Sequence, residues 1–164
     1  MGNFDRHCSV YDKRSLLRLA LPLMMVLFSG CASVPTPGTQ PAGRSPVVDY
    51  ALSLQGVPYR YGKDSPEEGF DCSGFVKHVY QRNGINLPRT VSAMAQSLPP
   101  APKDALLSGD LVFFNTSGHS LSHVGIYVSG DDFVHAPSQR TGKVLVSSLK
   151  NQYWKKRFIG ARRP

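Results

Sequence analysis

FDCSGF, residues 70–75, places a cysteine directly after an acid at a point where a helix should begin. Asp71 is a natural N-cap residue, and Asn83-Gly84 is a natural helix end. Between them lies an apolar stripe with helical spacing: Phe75, Val76, Val79 and Tyr80. Cys72 is therefore predicted in the first turn, where unpaired N–H groups and the positive end of the helix dipole stabilise a thiolate. The stretch indicates either a reactive cysteine or a packed, inert one.

The patterns around this helix predict the fold class. Pro46 starts a helical pattern that Gly56 ends, and Thr90 caps a short helix through Gln96. Residues 57–69, rich in proline and glycine, are expected to form a loop. Five β-rich runs follow: 110–114, 123–128, 133–136, 144–148 and 157–161. Because helices precede strands linked by short turns, we expect an α+β domain with helices packed on an antiparallel sheet.

The first thirty residues have the composition of a bacterial export signal. Basic residues precede the apolar run 19–28, and small residues then lead to Cys31. LFSGC (27–31) resembles the lipobox of bacterial lipoproteins, except that Phe28 stands where leucine is most common. The alternative is an ordinary signal that merely contains a cysteine. The resemblance implies that residues 1–30 are removed, that Cys31 carries lipid, and that the protein is an outer-membrane lipoprotein facing the periplasm, because Ala32 follows the cysteine.

The remaining chain divides into a tether and a domain. Residues 31–46 hold the lipidated cysteine and a stretch rich in Pro, Gly and Ser, and residues 47–164 form the predicted domain. The whole chain carries a net charge of +8. Such a charge is usual for a solvated basic surface, and no fingerprint of nucleic-acid binding is present, so no nucleic-acid partner is expected.

Cysteine usage and strand alternation select the candidate site. With Cys8 lost and Cys31 lipidated, Cys72 is the one free thiol, in a compartment where thiols tend to be oxidised. His123 opens a predicted strand, and a tight turn at 129–132 returns His135 to its neighbourhood. A cysteine with two histidines suits a nucleophile, a base and an orienting group.

Other interpretations of the same residues remain open. His78 lies about 240° around the helix from Cys72 and should point elsewhere, and His119 is expected in a solvated loop. A Cys/His/His zinc site competes with catalysis, but no CxxC, HxxxH or second cysteine completes it. We therefore expect no metal and no cofactor.

Six segments in order resemble the motifs of the NlpC/P60 cell-wall cysteine peptidases: GVPYRYG (56–62), GFDCSGFV (69–76), LPRT (87–90), GDLVFF (109–114), SHVGIYV (122–128) and FVHA (133–136). QYWKKRFIGARR (152–163) further resembles the end of the Spr/MepS-type lipoproteins. The resemblance implies a papain-like α+β fold and hydrolysis of peptide bonds in the peptidoglycan stem or crosslink.

The same resemblance implies roles for individual residues. Cys72 would be the nucleophile, His123 the general base and His135 the third, orienting residue. Tyr59 would line the site, with Asp71 and Ser73 flanking the thiol. Many relatives carry Gly-Gly where this chain has Gly62-Lys63 followed by a charged loop, so the resemblance leaves the substrate preference open.

Several alternatives for function stay open at this point. An acyltransferase or amidase can use the same triad, and a non-catalytic wall-binding lipoprotein can keep the same fold. Peptidoglycan is the expected partner, together with the membrane through the N-terminal lipid. The sequence does not distinguish the D-alanyl to diaminopimelate crosslink from the D-glutamyl to diaminopimelate bond, and it identifies neither adaptor proteins nor an oligomeric state.

Overall fold

The computed structural model describes residues 45–118 and 121–164. The predicted signal peptide (1–30), the lipidated Cys31, the tether as far as residue 44, and His119 lie outside the described residues. Within the described part of the chain, no helix has the length and apolar character needed to cross a membrane.

The helices begin where the sequence places their caps. Their bounds are Pro46–Ser53 (α1), Cys72–Arg82 (α2), Val91–Ser97 (α3) and Gln152–Lys155 (α4). The carboxylate of Asp71 accepts a hydrogen bond of 2.7 Å from the Gly74 N–H, and the Thr90 hydroxyl accepts one of 3.3 Å from Ala93. Both predicted N-caps are therefore confirmed, because each side chain satisfies an N–H that the helix leaves unpaired.

The strands form two antiparallel sheets. The smaller pairs Asp64–Ser65 (β1) with Gly69–Phe70 (β2). The larger has the order β3-β8-β4-β5-β6-β7. Its strands are Pro100–Ala101 (β3), Leu111–Phe114 (β4), His123–Ser129 (β5), Asp132–His135 (β6), Leu145–Ser148 (β7) and Phe158–Arg162 (β8). The predicted α+β class with an antiparallel sheet is confirmed.

The large sheet separates two apolar clusters. On one face, the stripe of α2 packs against alternate residues of β5: Val124, Ile126 and Val128. On the other face, Tyr127 packs with Phe114, Phe133 and Trp154. The alternation predicted for β5 is therefore confirmed, and α2 is fixed against the strand that carries His123.

Four short elements were not predicted. The predicted loop 57–69 forms, together with Phe70, the hairpin β1–β2, and β3 and α4 were missed. Two hydrogen bonds fix the segment before the hairpin against Asp71, the N-cap residue of α2. The Asp71 N–H donates to the Lys63 carbonyl at 3.0 Å, and the Gly62 N–H donates to the Asp71 carboxylate at 2.9 Å. Two-residue strands have no periodicity to detect, so only these tertiary contacts define them. In addition, α1 begins at Pro46, one residue inside the predicted tether.

Candidate active site

Cys72 is the first residue of α2 and lies half-buried against the core. The backbone N–H of Val124, the residue that follows His123, lies close enough to the sulfur to lower the pKa of the thiol. The thiol thus lies between the start of the helix and the start of β5. It is neither sealed in the core nor freely exposed, as a group that must meet a substrate requires.

The ionisation of Cys72 differs from the expectation of a stabilised thiolate. Burial, followed by the neighbouring Asp71 carboxylate, raises the pKa of the Cys72 thiol to about 11, against the lowering effect of three backbone N–H groups. Desolvation penalises the charged form more than the helix terminus favours it. The resting cysteine is therefore a neutral thiol, which becomes nucleophilic only when a base takes its proton.

His123 and His135 form a buried pair on the neighbouring strands β5 and β6. His123 Nε2 lies 2.7 Å from His135 Nδ1, and the two residues are only 3% and 0% exposed. Gly125 makes room for this pair, because a Cβ there would lie 2.7 Å from a Phe133 ring carbon and 3.2 Å from the His135 Cβ. With Nε2 engaged, Nδ1 is the nitrogen of His123 left to take a proton.

Burial keeps both imidazoles neutral. It lowers the pKa of His123 to about 4, and burial together with the adjacent His123 lowers the pKa of His135 well below its usual range. A neutral imidazole has a free lone pair, so His123 is in the protonation state that a general base needs.

The buried His123 predicts a loss of stability in acid. In the unfolded chain this imidazole takes a proton near pH ~6.5, whereas in the folded protein it does so only at about 4. Between these values the unfolded state binds more protons, so stability is full above about pH 6.5 and falls as the pH decreases. We expect the free energy of unfolding to drop by about 3 kcal/mol from pH ~6.5 to ~4 through His123 alone. Urea denaturation at several pH values in this range measures the free energy of unfolding. In His123→Gln this free energy should vary less with pH than in the wild type. An equally steep fall in the variant would show that His123 is not the group responsible.

Trp154, which the sequence analysis did not select, covers the histidine pair. Its ring stacks on His123 with a centroid distance of 5.3 Å and meets His135 edge-on at 4.8 Å. The indole comes from α4, the segment that was used only to suggest a subgroup. It shields the imidazoles from water, and an aromatic face stabilises a positive charge on the ring it covers.

Ser147 on β7 is a second residue that sequence reasoning missed. Its Oγ lies 2.9 Å from His135 Nε2, so both nitrogens of His135 are engaged. Ser147 pairs with Phe133 in the sheet and is therefore the diagonal neighbour of His135. Two adjacent serines in a predicted strand carry no signal of this contact.

The residues predicted to flank the thiol are joined by Arg89. Its guanidinium donates to both carboxylate oxygens of Asp71, at 3.0 and 2.7 Å, and to Ser73 Oγ at 2.9 Å. A bidentate pair of this kind fixes geometry as well as charge. Tyr59 also lies close to the thiol: burial, followed by the proximity of Cys72, raises the pKa of its phenol.

Arg89 offsets the negative charge that Asp71 places beside the thiol. In Arg89→Gln that charge is left uncompensated, so we expect a higher Cys72 pKa and alkylation by iodoacetamide at pH 8 that is about tenfold slower. Arg82→Gln is the matched control, since Arg82 lies at the other end of α2, over the Tyr50 ring. Equal alkylation rates in both variants would contradict this role.

Two other sequence predictions concern metal binding and His78. Among residues 45–118 and 121–164, no group of three or more His, Cys, Asp or Glu side chains is arranged to hold a metal ion. His78 lies apart from the histidine pair, since its Nε2 is 2.9 Å from the Tyr50 hydroxyl. That prediction for His78 is confirmed.

An α+β domain with a cysteine at the start of a helix, packed on the strand that opens with one member of a buried histidine pair, is the arrangement of a papain-like peptidase fold. The NlpC/P60 family model matches residues 56–163, and the protein belongs to this family. The family resemblance drawn from the motifs is thereby confirmed.

Three curated relatives come from Escherichia coli K12. The chain is 43% identical to murein DD-endopeptidase MepH over 113 residues, covering 66% of this chain and 41% of MepH. It is 40% identical to the probable endopeptidase NlpC over 146 residues, covering 84% and 93%. It is 38% identical to murein DD-endopeptidase MepS/murein LD-carboxypeptidase over 121 residues, covering 73% and 62%.

A solved structure supports the fold. A lipoprotein-like NLP/P60 family protein from Staphylococcus aureus Mu50 superposes with a TM-score of 0.65 and 36% identity, covering 72% of this chain and 40% of that chain. The present chain thus spans about two fifths of MepH and of the staphylococcal protein, and nearly all of NlpC.

Proposed function

We propose that the protein is a cysteine endopeptidase that hydrolyses peptide bonds of peptidoglycan, with Cys72 as nucleophile, His123 as general base and His135 as orienting residue. The observation that carries this proposal is the 2.7 Å bond between the two buried, neutral imidazoles at the strand start where the Cys72 sulfur is held. Family membership and relatives named as murein endopeptidases support it.

The reaction follows from the protonation states. His123 Nδ1 takes the thiol proton as the sulfur attacks the substrate carbonyl, and the resulting imidazolium is held by His135 and covered by Trp154. The N–H of Cys72, at the helix start, is the proposed donor for the oxyanion. His123 then gives its proton to the leaving amine, which departs and leaves a thioester. Water, deprotonated by the same imidazole, attacks the thioester and releases the acid and the free thiol.

The D-alanyl to diaminopimelate crosslink is the favoured bond within this proposal. The support is the Spr/MepS-like ending, residues 152–163, and the naming of both MepH and MepS as DD-endopeptidases. The loop after Gly62 borders the first turn of α2, so its charged residues are placed to affect which stem peptide is accepted.

Digestion of defined muropeptides tests the function directly. We expect purified protein to cut a crosslinked dimer into two monomers whose masses sum to the dimer plus water, as measured by mass spectrometry. A product that carries a transferred acyl group in place of water would support an acyltransferase and overturn hydrolysis. Binding to intact sacculi with no cleavage of any muropeptide would support the wall-binding lipoprotein instead.

We further propose that the protein is an outer-membrane lipoprotein anchored through Cys31 and facing the periplasm. The apolar run 19–28 before a cysteine supports this location, and a Pro- and Gly-rich tether would let an anchored domain reach the wall. Labelling cells with a palmitate analogue tests it. The wild type should incorporate the label and fractionate with the outer membrane, whereas Cys31→Ser should do neither; label in the variant would rule out this anchor.

A further inference from the structure

The second histidine of the pair, His135, lies within hydrogen-bond distance of a hydroxyl, and the direction of this contact is coupled to the tautomers of both histidines. Three groups lie in a row: His123 Nε2 is 2.7 Å from His135 Nδ1, and His135 Nε2 is 2.9 Å from Ser147 Oγ. Each imidazole is neutral and thus has one N–H and one lone pair. Only two arrangements of protons along this row are possible.

In the first arrangement, His123 donates from Nε2 to His135, and His135 donates from Nε2 to Ser147. His123 Nδ1 then has a free lone pair and can take the thiol proton. In the second, Ser147 donates to His135, His135 donates from Nδ1 to His123, and His123 Nδ1 carries a proton. A ring in this second state cannot act as a base toward Cys72.

The protonated form of His123 is compatible only with the hydrogen-bond directions of the first arrangement. Once it has taken the thiol proton, both its nitrogens are donors, so His135 Nδ1 must accept and His135 Nε2 must donate. The acceptor for that last proton is Ser147 Oγ. The hydroxyl sits on the edge strand β7 and is half-buried, while the His135 ring is fully buried.

We propose that Ser147 is a positioning residue which, by accepting the His135 Nε2 proton, holds both histidines in the tautomers that leave His123 Nδ1 free to act as a base. This inference rests on the proposed function for its kinetic consequence only. The tautomers themselves are a property of the folded protein without substrate.

Nitrogen-15 NMR of histidine-labelled full-length protein tests the tautomers. In the wild type we expect both His123 and His135 to carry their proton on Nε2 at pH 7. In Ser147→Ala we expect a mixture of tautomers at both rings, whereas Ser147→Thr should retain the wild-type signals. A wild-type His135 protonated on Nδ1, or signals in Ser147→Ala identical to those of the wild type, would overturn the proposal.

Kinetics on a crosslinked muropeptide separates positioning from a structural role. We expect Ser147→Ala to lower kcat about tenfold with KM within about twofold, as loss of an orienting contact does elsewhere, and Ser147→Thr to recover most of kcat. Ser148→Ala is the matched control, because the Ser148 side chain is on the opposite face of β7 and its hydroxyl accepts from the Lys150 N–H in the following turn. Equal kcat in the Ser147→Ala and Ser148→Ala variants would overturn the role. If the wild type cleaves no muropeptide while the predicted tautomers are observed, the proposed function fails and the tautomer assignment stands.

Discussion

Replacing Cys72 with alanine is expected to abolish muropeptide cleavage, lowering kcat by about four to six orders of magnitude. The physical reason is that in the proposed mechanism the sulfur forms the covalent intermediate, and Cys72 is the one free cysteine among residues 45–118 and 121–164. Release of monomers from a crosslinked dimer, followed by mass spectrometry, measures the loss.

Two controls make this result specific. Cys72→Ala removes only a small, half-buried group. The melting temperature of this variant and its sedimentation with sacculi should therefore match those of the wild type. His78→Gln alters a histidine that bonds Tyr50 away from the pair, so it should retain wild-type kcat. Cleavage at the wild-type rate by Cys72→Ala would eliminate the cysteine peptidase mechanism altogether.

Gly74→Ala is expected to destabilise the domain by about 2 kcal/mol, despite being a helix-favouring change worth about 1 kcal/mol by itself. A Cβ at this position would lie 2.2 Å from the Lys63 carbonyl oxygen and 3.0 Å from Asp71 Oδ1. The carbonyl is backbone and is already bonded to the Asp71 N–H, so it cannot give way without moving the start of α2. We therefore also expect a loss of activity, since Cys72 is in that turn.

Gly160→Ala provides the comparison for Gly74→Ala. Its Cβ would meet only the Lys103 Cε, at 3.9 Å, which is an ordinary contact with a flexible side chain. Urea denaturation should place Gly160→Ala within about 0.5 kcal/mol of the wild type. Similar free energies of unfolding for the two variants would show that the Lys63 carbonyl does not exclude a side chain at position 74.

Local periodicity explains which elements the sequence predicted. The stripe on α2, the caps Asp71 and Thr90, and the alternation of β5 are properties of neighbouring residues, and each appears in the structure as expected. His123 and His135 were brought together by a single tight turn, which is also a local feature.

The parts that were missed depend on contacts between distant segments. Arg89, Ser147 and Trp154 reach the site from separate elements, and nothing in their immediate sequence specifies the partner. The prediction of a stabilised thiolate at Cys72 was wrong for the same reason. Position at a helix start is visible in sequence, whereas the burial that raises the thiol pKa is a property of the assembled domain.

The position of β8 has a consequence for when the domain can fold. Although it is the last strand along the chain, it lies inside the sheet between β3 and β4, and the preceding α4 supplies the indole over the histidines. A nascent chain that lacks residues 152–162 therefore cannot complete the sheet or cover the histidines. Because such long-range pairing forms late and slowly, we expect the proposed active site to be completed only after residues 152–162 have left the ribosome.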